Sequence, residues 1–196
     1  MNHRCHKDGI VLCEPMYYSY PNDQNAYEFP NQYMFGSELL VCPITSPQNK
    51  ENGMGSVNAW IPEGEYTDIF TLQKYKGSQV ITLNRELYSI PVLAKAGAVI
   101  PLSCDTGNST ANPEMLEVWV FKGNNQFVMY EDNGKIDYEN HTAKTVFTNE
   151  FSSAENSVKF TVEVQGDTSV IPKNRQYKIC FKDIDCEDFV VDYSDE

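Results

Sequence analysis

Asp23, Glu28 and Glu38 punctuate a stretch that also carries seven aromatic rings between Tyr17 and Phe35. Carboxylates among aromatics suit carbohydrate chemistry, because a pyranose face is apolar while its hydroxyls need polar neighbours. These three acids lie in turn-rich sequence, where short polar side chains cap turns or face water, and that is the role expected of them. The rings have two readings, a lid packed against a core or a sugar platform, and packing is the expected one.

Other constellations are weaker. His3, Cys5 and His6 have the residue types of metal ligands, but no second ligand cluster accompanies them, so no structural metal is expected. "YEDNGKID" offers Asp132, Asn133 and Asp137 as oxygen ligands for calcium. It lacks the bidentate Glu and the ligand count of a calcium loop, and it reads as an Asn-Gly hairpin. Six cysteines (5, 13, 42, 104, 180 and 186) include no CxxC pair. Cys13 and Cys42 sit in apolar runs, where a reduced Cys behaves as a small hydrophobe. Cys180 and Cys186 could flank a hairpin as a bridge, but reduced thiols are the expected state. Sequons at Asn108 and Asn140 matter only in a secreted chain. No catalytic residue, metal ligand or cofactor is assigned, and substrate-binding residues stay open.

The elements that must position these groups follow from the bulk and the pattern. The 196 residues can hold one large domain or two smaller ones. Against 28 Asp and Glu stand 15 Lys and Arg, a formal charge of −13 with no basic stripe. That argues against nucleic acid and against an anionic membrane surface, whereas a neutral sugar meets no objection. No apolar run approaches the roughly 20 residues of a membrane helix. The start, "MNHRCHKDG", has no signal-peptide core, which favours a cytoplasmic setting, and reads as the frayed end of a helix closed by Gly9. A missing N-terminal portion would explain such a start.

From Gly9, "GIVLCEP" has the length and apolarity of a strand buried on both faces. After Leu39, extended segments recur every ten or so residues with no helical stripe between them, the pattern of a β-sandwich. Residues 103–114, "SCDTGNSTANPE", replace core material with turn-formers and read as a linker. Six further strands, from "MLEVWVFKG" to "DFVVDY", predict a second sandwich.

These motifs carry a resemblance. "GIVLCEPMYYSYPNDQNAYEFPNQYMFGSELLVCPI" resembles the end of the catalytic barrel in glycoside hydrolase family 31, the α-glucosidase and α-xylosidase family, with Glu14 where the family usually has Arg and Asn31 where Asp is common. "WIPEGEYTDIF" and "SIPVLAKAGAVIPL" are similar to its proximal C-terminal sandwich, with "EYTDIFT" standing for the usual "WYDFWTG". "FVMYEDNGKIDYE" is similar to the Tyr-Glu-Asp-Asp-Gly hairpin of its distal β-domain.

The resemblance implies a mainly β chain: two antiparallel β-sandwich domains preceded by a remnant of the last strand of a (β/α)8 barrel. The expected division is 1–36 barrel end, 37–102 proximal sandwich, 103–114 linker and 115–196 distal sandwich. The family's catalytic aspartates lie on earlier barrel strands, and no matching segment is present. The chain is therefore expected to support a barrel and its entrance, the missing barrel being its main partner, without catalysing alone. Two alternatives stand beside this. The distal sandwich could bind oligosaccharides through Trp119, Phe121 or Tyr130, or the chain could be purely structural or oligomerising. Residues 1–20, stripped of barrel neighbours, are expected to dock back on the proximal sandwich or mediate self-association.

Overall fold

The computed structural model describes residues 2–184 and 190–192. A short helix, α1 (Asn2–Asp8), ends at Gly9, whose φ of 68° is the left-handed closure the sequence predicts. The chain then forms strand β1 (Cys13–Pro15), single helical turns α2 (Met16–Ser19) and α3 (Asn25–Glu28), and strands β2 (Tyr33–Phe35) and β3 (Leu39–Val41). Next come β4 (Gly55–Ile61), β5 (Glu65–Asp68), β6 (Lys74–Lys76), β7 (Gln79–Arg85) and β8 (Val92–Lys95). β9 (Val99–Ser103), β10 (Met115–Val120), β11 (Asn125–Asp132), β12 (Thr142–Ser152), β13 (Ser157–Gly166) and β14 (Gln176–Phe181) complete the order.

The strands make two sandwiches. In the proximal one a six-stranded sheet, ordered β1-β2-β3-β8-β5-β6, faces the pair β4-β7. Met34, Leu40, Tyr66 and Leu93 from the first pack with Val57, Ala59, Trp60, Ile61 and Leu83 from the second. In the distal one β14-β10-β9 faces β11-β12-β13, around Val99, Leu116, Val118, Val120 and Phe147. On β10 the alternation is direct: Leu116, Val118 and Val120 are buried, and the residues between them are not. The chain is mainly β, as expected, and among the described residues its ladders are antiparallel except that β10 and β14 run parallel.

Several expectations need correction. "GIVLCEP" is not a continuous strand: only Cys13–Pro15 enters a ladder, antiparallel to Tyr33–Phe35, while Val11 and Cys13 are exposed. A strand buried on both faces needs two paired neighbours, and β1 is an edge strand with one. Cys13 is thus no core hydrophobe, although Cys42 is fully buried. Since β1 and β2 share a sheet with β3 and β8, no change of sheet falls at 36/37.

Nor does residues 103–114 separate the sandwiches. It joins β9 to β10, antiparallel neighbours in register from Ser103↔Leu116 to Val99↔Val120. The change of sheet comes earlier, at the corner Ala96–Ala98 between β8 and β9. In "DFVVDY", Val190–Asp192 have no strand, and the rest lies outside the described residues, as does the bridge considered for Cys186.

The corner is tightly built. Gly97 and Gly123 press backbone on backbone, so that a Cβ on Gly123 would sit 2.4 Å from the Gly97 nitrogen. The buried Asn149 amide donates to the carbonyls of Phe121 (2.8 Å) and Gly97 (3.2 Å). Ala94, Ala98 and Phe121 form a small core there with Leu39, Ile69, Ile100 and Trp119, drawn from both sandwiches.

Candidate functional site

The loop between β1 and β2 splits its side chains by direction. Met16, Ala26 and Met34 are buried in the proximal core, and Tyr20 packs edge-on against Trp60 with centroids 5.2 Å apart. Tyr17, Tyr18 and Tyr27 point outward and touch one another. Tyr17 stacks on Tyr27 (5.5 Å, 13° between planes) and meets Tyr18 edge-on at 5.1 Å. Tyr18 is 62% and Tyr27 52% exposed, with Val11 and Phe35 also exposed nearby in the chain. The packing reading therefore holds for part of the rings, while Tyr17, Tyr18 and Tyr27 form an outward aromatic face. The face is held in shape locally. The Asp23 carboxylate accepts from the Asn25 backbone and amide, each at 2.9 Å, and the Tyr27 hydroxyl donates to the Pro21 carbonyl at 3.0 Å. Beside it, Ser19–Gln24 line a shallow hollow of about 440 Å³.

The three acids separate into three roles. Asp23 caps its own turn, Glu28 is exposed at the end of α3, and Glu38 is buried. One Glu38 oxygen accepts from Ser37 (2.7 Å), the other from the Val99 amide (3.1 Å) and the Asn125 side chain (2.8 Å). Glu38 thus clasps the β2–β3 turn to β9 and β11. Close by, burial holds the Lys95 ammonium below its usual pKa, opposed by Glu38 and Glu14, with Arg4 adding to the lowering. Glu14 also accepts from the Ser19 hydroxyl. Lys95 was not singled out in the sequence, where nothing local distinguishes it from a solvated lysine.

The distal candidates are engaged elsewhere. Phe121 is fully buried. Trp119 points away from the distal core, half-buried; its indole N–H donates to Glu117 at 2.6 Å, and the Lys182 ammonium lies 3.9 Å from the ring centre. Tyr130 is covered by α1 through His3. In "YEDNGKID", Asp132 accepts from the Gly134 amide and Asn133 from the Lys135 amide, closing a turn at Gly134 with φ 65°. Glu131 is buried and pairs bidentately with Arg175, at 2.6 and 3.1 Å. Among the described residues no group of three or more His, Cys, Asp or Glu has a metal-binding arrangement.

Between the sandwiches lies a second hollow of about 350 Å³, lined by Tyr66, Tyr75, Lys74, Lys122, Phe151 and Asp183 among others. Asp183 bridges it, accepting from the Thr67 hydroxyl at 3.0 Å and the Lys122 amide at 2.6 Å. Its lining is structural in each contact that the geometry records. The exposed tyrosine face therefore remains the best candidate for function: an aromatic surface left uncovered among the described residues, on the loop that joins edge strand β1 to β2.

Comparison with known proteins bears on that surface. Residues 9–100, which include the whole tyrosine face, match the family described as glycosyl hydrolase family 31 C-terminal domain. Alpha-glucosidase 2 of Bacillus thermoamyloliquefaciens is 28% identical over 166 residues, covering 82% of this chain and 20% of its own length. An alpha-xylosidase of Saccharolobus solfataricus is 32% identical over 139 residues, covering 69% and 18%. A Flavobacterium johnsoniae GH31 dextranase, solved in complex with glucose, superposes with a TM-score of 0.73 at 29% identity, over 84% of this chain and 20% of that one. The chain spans about a fifth of the length of the relatives it matches.

Proposed function

Because this chain carries the C-terminal domain of glycosyl hydrolase family 31 across residues 9–100, we propose that it serves as the C-terminal accessory region of a retaining α-glycosidase, supporting the catalytic barrel and shaping its entrance. The substrates of such an enzyme would be α-linked glycosides of the kind that the matched α-glucosidase and α-xylosidase are named for. The carboxyl pair that retaining cleavage requires would come from the barrel, and this chain would supply the surface beneath it.

The observation that carries this reading is the outward face of Tyr17, Tyr18 and Tyr27, held by Asp23 on the loop after β1. The rings are already about half covered, so burying the rest would contribute about 1 kcal/mol each, enough for three rings together to help anchor one domain on another. A hydroxylated aromatic also suits a surface close to a site that admits sugar. The carbohydrate-binding alternative draws less support, since Phe121 is buried, Tyr130 is covered and the Trp119 ring carries Lys182.

A chimera tests the proposal. The matched fifth of Bacillus thermoamyloliquefaciens alpha-glucosidase 2 is replaced by this chain, with and without Tyr17→Ser, Tyr18→Ser and Tyr27→Ser together. The wild-type chimera is expected to hydrolyse an aryl α-glucoside where the truncated enzyme does not, and the triple variant to lose thermal stability. A folded chimera whose activity and stability ignore the three tyrosines would overturn the assignment of this face.

A further inference from the structure

Helix α1 precedes the matched family domain, yet it rests on the distal sandwich, which follows that domain. Three side chains one turn apart make the contact. The His3 imidazole stacks on Tyr130 of β11, centroids 3.6 Å apart and planes 6° from parallel. His6 Nε2 and the Tyr138 hydroxyl are hydrogen-bonded at 2.8 Å. The Lys7 ammonium donates to Glu139 at 2.8 Å and lies 6.0 Å from the Tyr138 ring centre. Positions i, i+3 and i+4 share one helix face, so one face meets one hairpin. A helix of seven residues is too short to persist in water alone and depends on what it packs against.

We propose that the outer surface of β11 and the hairpin to β12, formed by Tyr130, Tyr138, Glu139 and Lys144, is a docking surface for the helix ahead of the family domain, and that mild acid releases this helix through His3. The surface is matched to a helix carrying imidazoles at i and i+3 and an ammonium at i+4, which α1 supplies. It would make the distal sandwich a clasp between segments on either side of the family domain.

The acid response follows from the groups around His3. Tyr130 and Lys144 face it from the sheet, the Lys144 ammonium lying 5.5 Å from the same Tyr130 ring centre. Lys7, His6 and Asp8 face it from its own helix. Burial against Tyr130 and the positive charge of Lys7 hold the His3 pKa below its usual value, with Asp8 alone opposing. A base whose pKa is depressed on docking stabilises the docked state at pH above its free value. That stability fades as pH falls through the free value towards the docked one. The Lys7–Glu139 pair survives mild acid, because the hydrogen bond from Lys7 holds the Glu139 carboxyl below its usual range. His3, stacked on Tyr130, is the group whose protonation the contact itself opposes.

Hydrogen exchange on the whole chain, corrected for intrinsic rates, tests this at about pH 7.5 and about pH 5. Protection of residues 3–9 and 130–141 is expected to fall several-fold together in acid, with the strands of both sandwiches unchanged. His3→Phe keeps the stacking without the proton and should hold protection at both pH values. Lys144→Met removes a competing cation and should weaken the acid response. Helix protection that is absent at neutral pH, that ignores pH, or that remains acid-sensitive in His3→Phe would overturn the proposal.

Discussion

Glu38 accepts hydrogen bonds from Ser37, Val99 and Asn125, groups that belong to three separate segments. Replacing it by Ala would strand the Val99 amide and the Asn125 side chain in a buried site, and each unsatisfied donor costs roughly 1–3 kcal/mol. Glu38→Ala is expected to lower stability to urea by about 2–4 kcal/mol, and Glu38→Gln by less, because an amide oxygen can still accept. A Glu38→Ala midpoint equal to that of wild type would contradict the clasp. The sequence placed Glu38 among turn-capping acids, which is half of what it does: it sits at a turn, but its main partner amide is 61 positions away. Composition and spacing report local caps and are silent on long-range ones. Leu72 is a related case. Its φ of 59° follows the Asp68-capped turn in "EYTDIFT", the segment that departs from the family's "WYDFWTG", and a residue pattern alone gave no reason to expect a left-handed leucine there.

At the scale of elements, the strands of the distal sandwich were legible because their apolar alternation is strict, as in β10. What was not legible is pairing. Residues 103–114 have the composition of a linker, yet β9 and β10 on either side of them share a ladder. The parallel partnership of β10 with β14 leaves no local trace either. "GIVLCEP" misled in the other direction: its apolarity reads as a continuous buried strand, yet only Cys13–Pro15 enters a ladder. The structure now separates the N-terminal segment into two parts. α1 touches the distal hairpin, while Met16 and Tyr20 are part of the proximal core. Deleting residues 1–9 is expected to leave the proximal sandwich folded with little change in its midpoint. Deleting residues 1–20 removes β1, Met16 and Tyr20, and should cost at least the 2–5 kcal/mol typical of truncating one large core side chain. Equal stability of the two deletions, read by chemical denaturation, would argue against this division.

For the molecule as a whole, the two sandwiches meet through the Gly97–Gly123 contact, the Asn149 bridge and a shared apolar cluster. Such a junction should unfold with its domains, so calorimetry is expected to give one transition with matching calorimetric and van't Hoff enthalpies. Gly123→Ala drives a Cβ to 2.4 Å from backbone at a φ of 139°, where no side chain can yield. It is expected to cost about 2–4 kcal/mol and to separate the transition into two. A single unshifted transition in that variant would refute the coupling. The formal charge of −13 leaves the molecule ill-suited to polyanions and indifferent to neutral sugars, in keeping with an accessory part of a glycosidase.

Under the proposed function the chain gives a barrel its support and not its catalytic carboxylates, and turnover by the purified chain tests that outright. Aryl α-glucosides and α-xylosides, incubated with the chain alone, are expected to release no aglycone above a control prepared identically from cells lacking the chain. Release above that control, abolished by replacing Asp23, Glu28 or Glu38 with its amide, would contradict the claim, because it would place a working acid within the described fold.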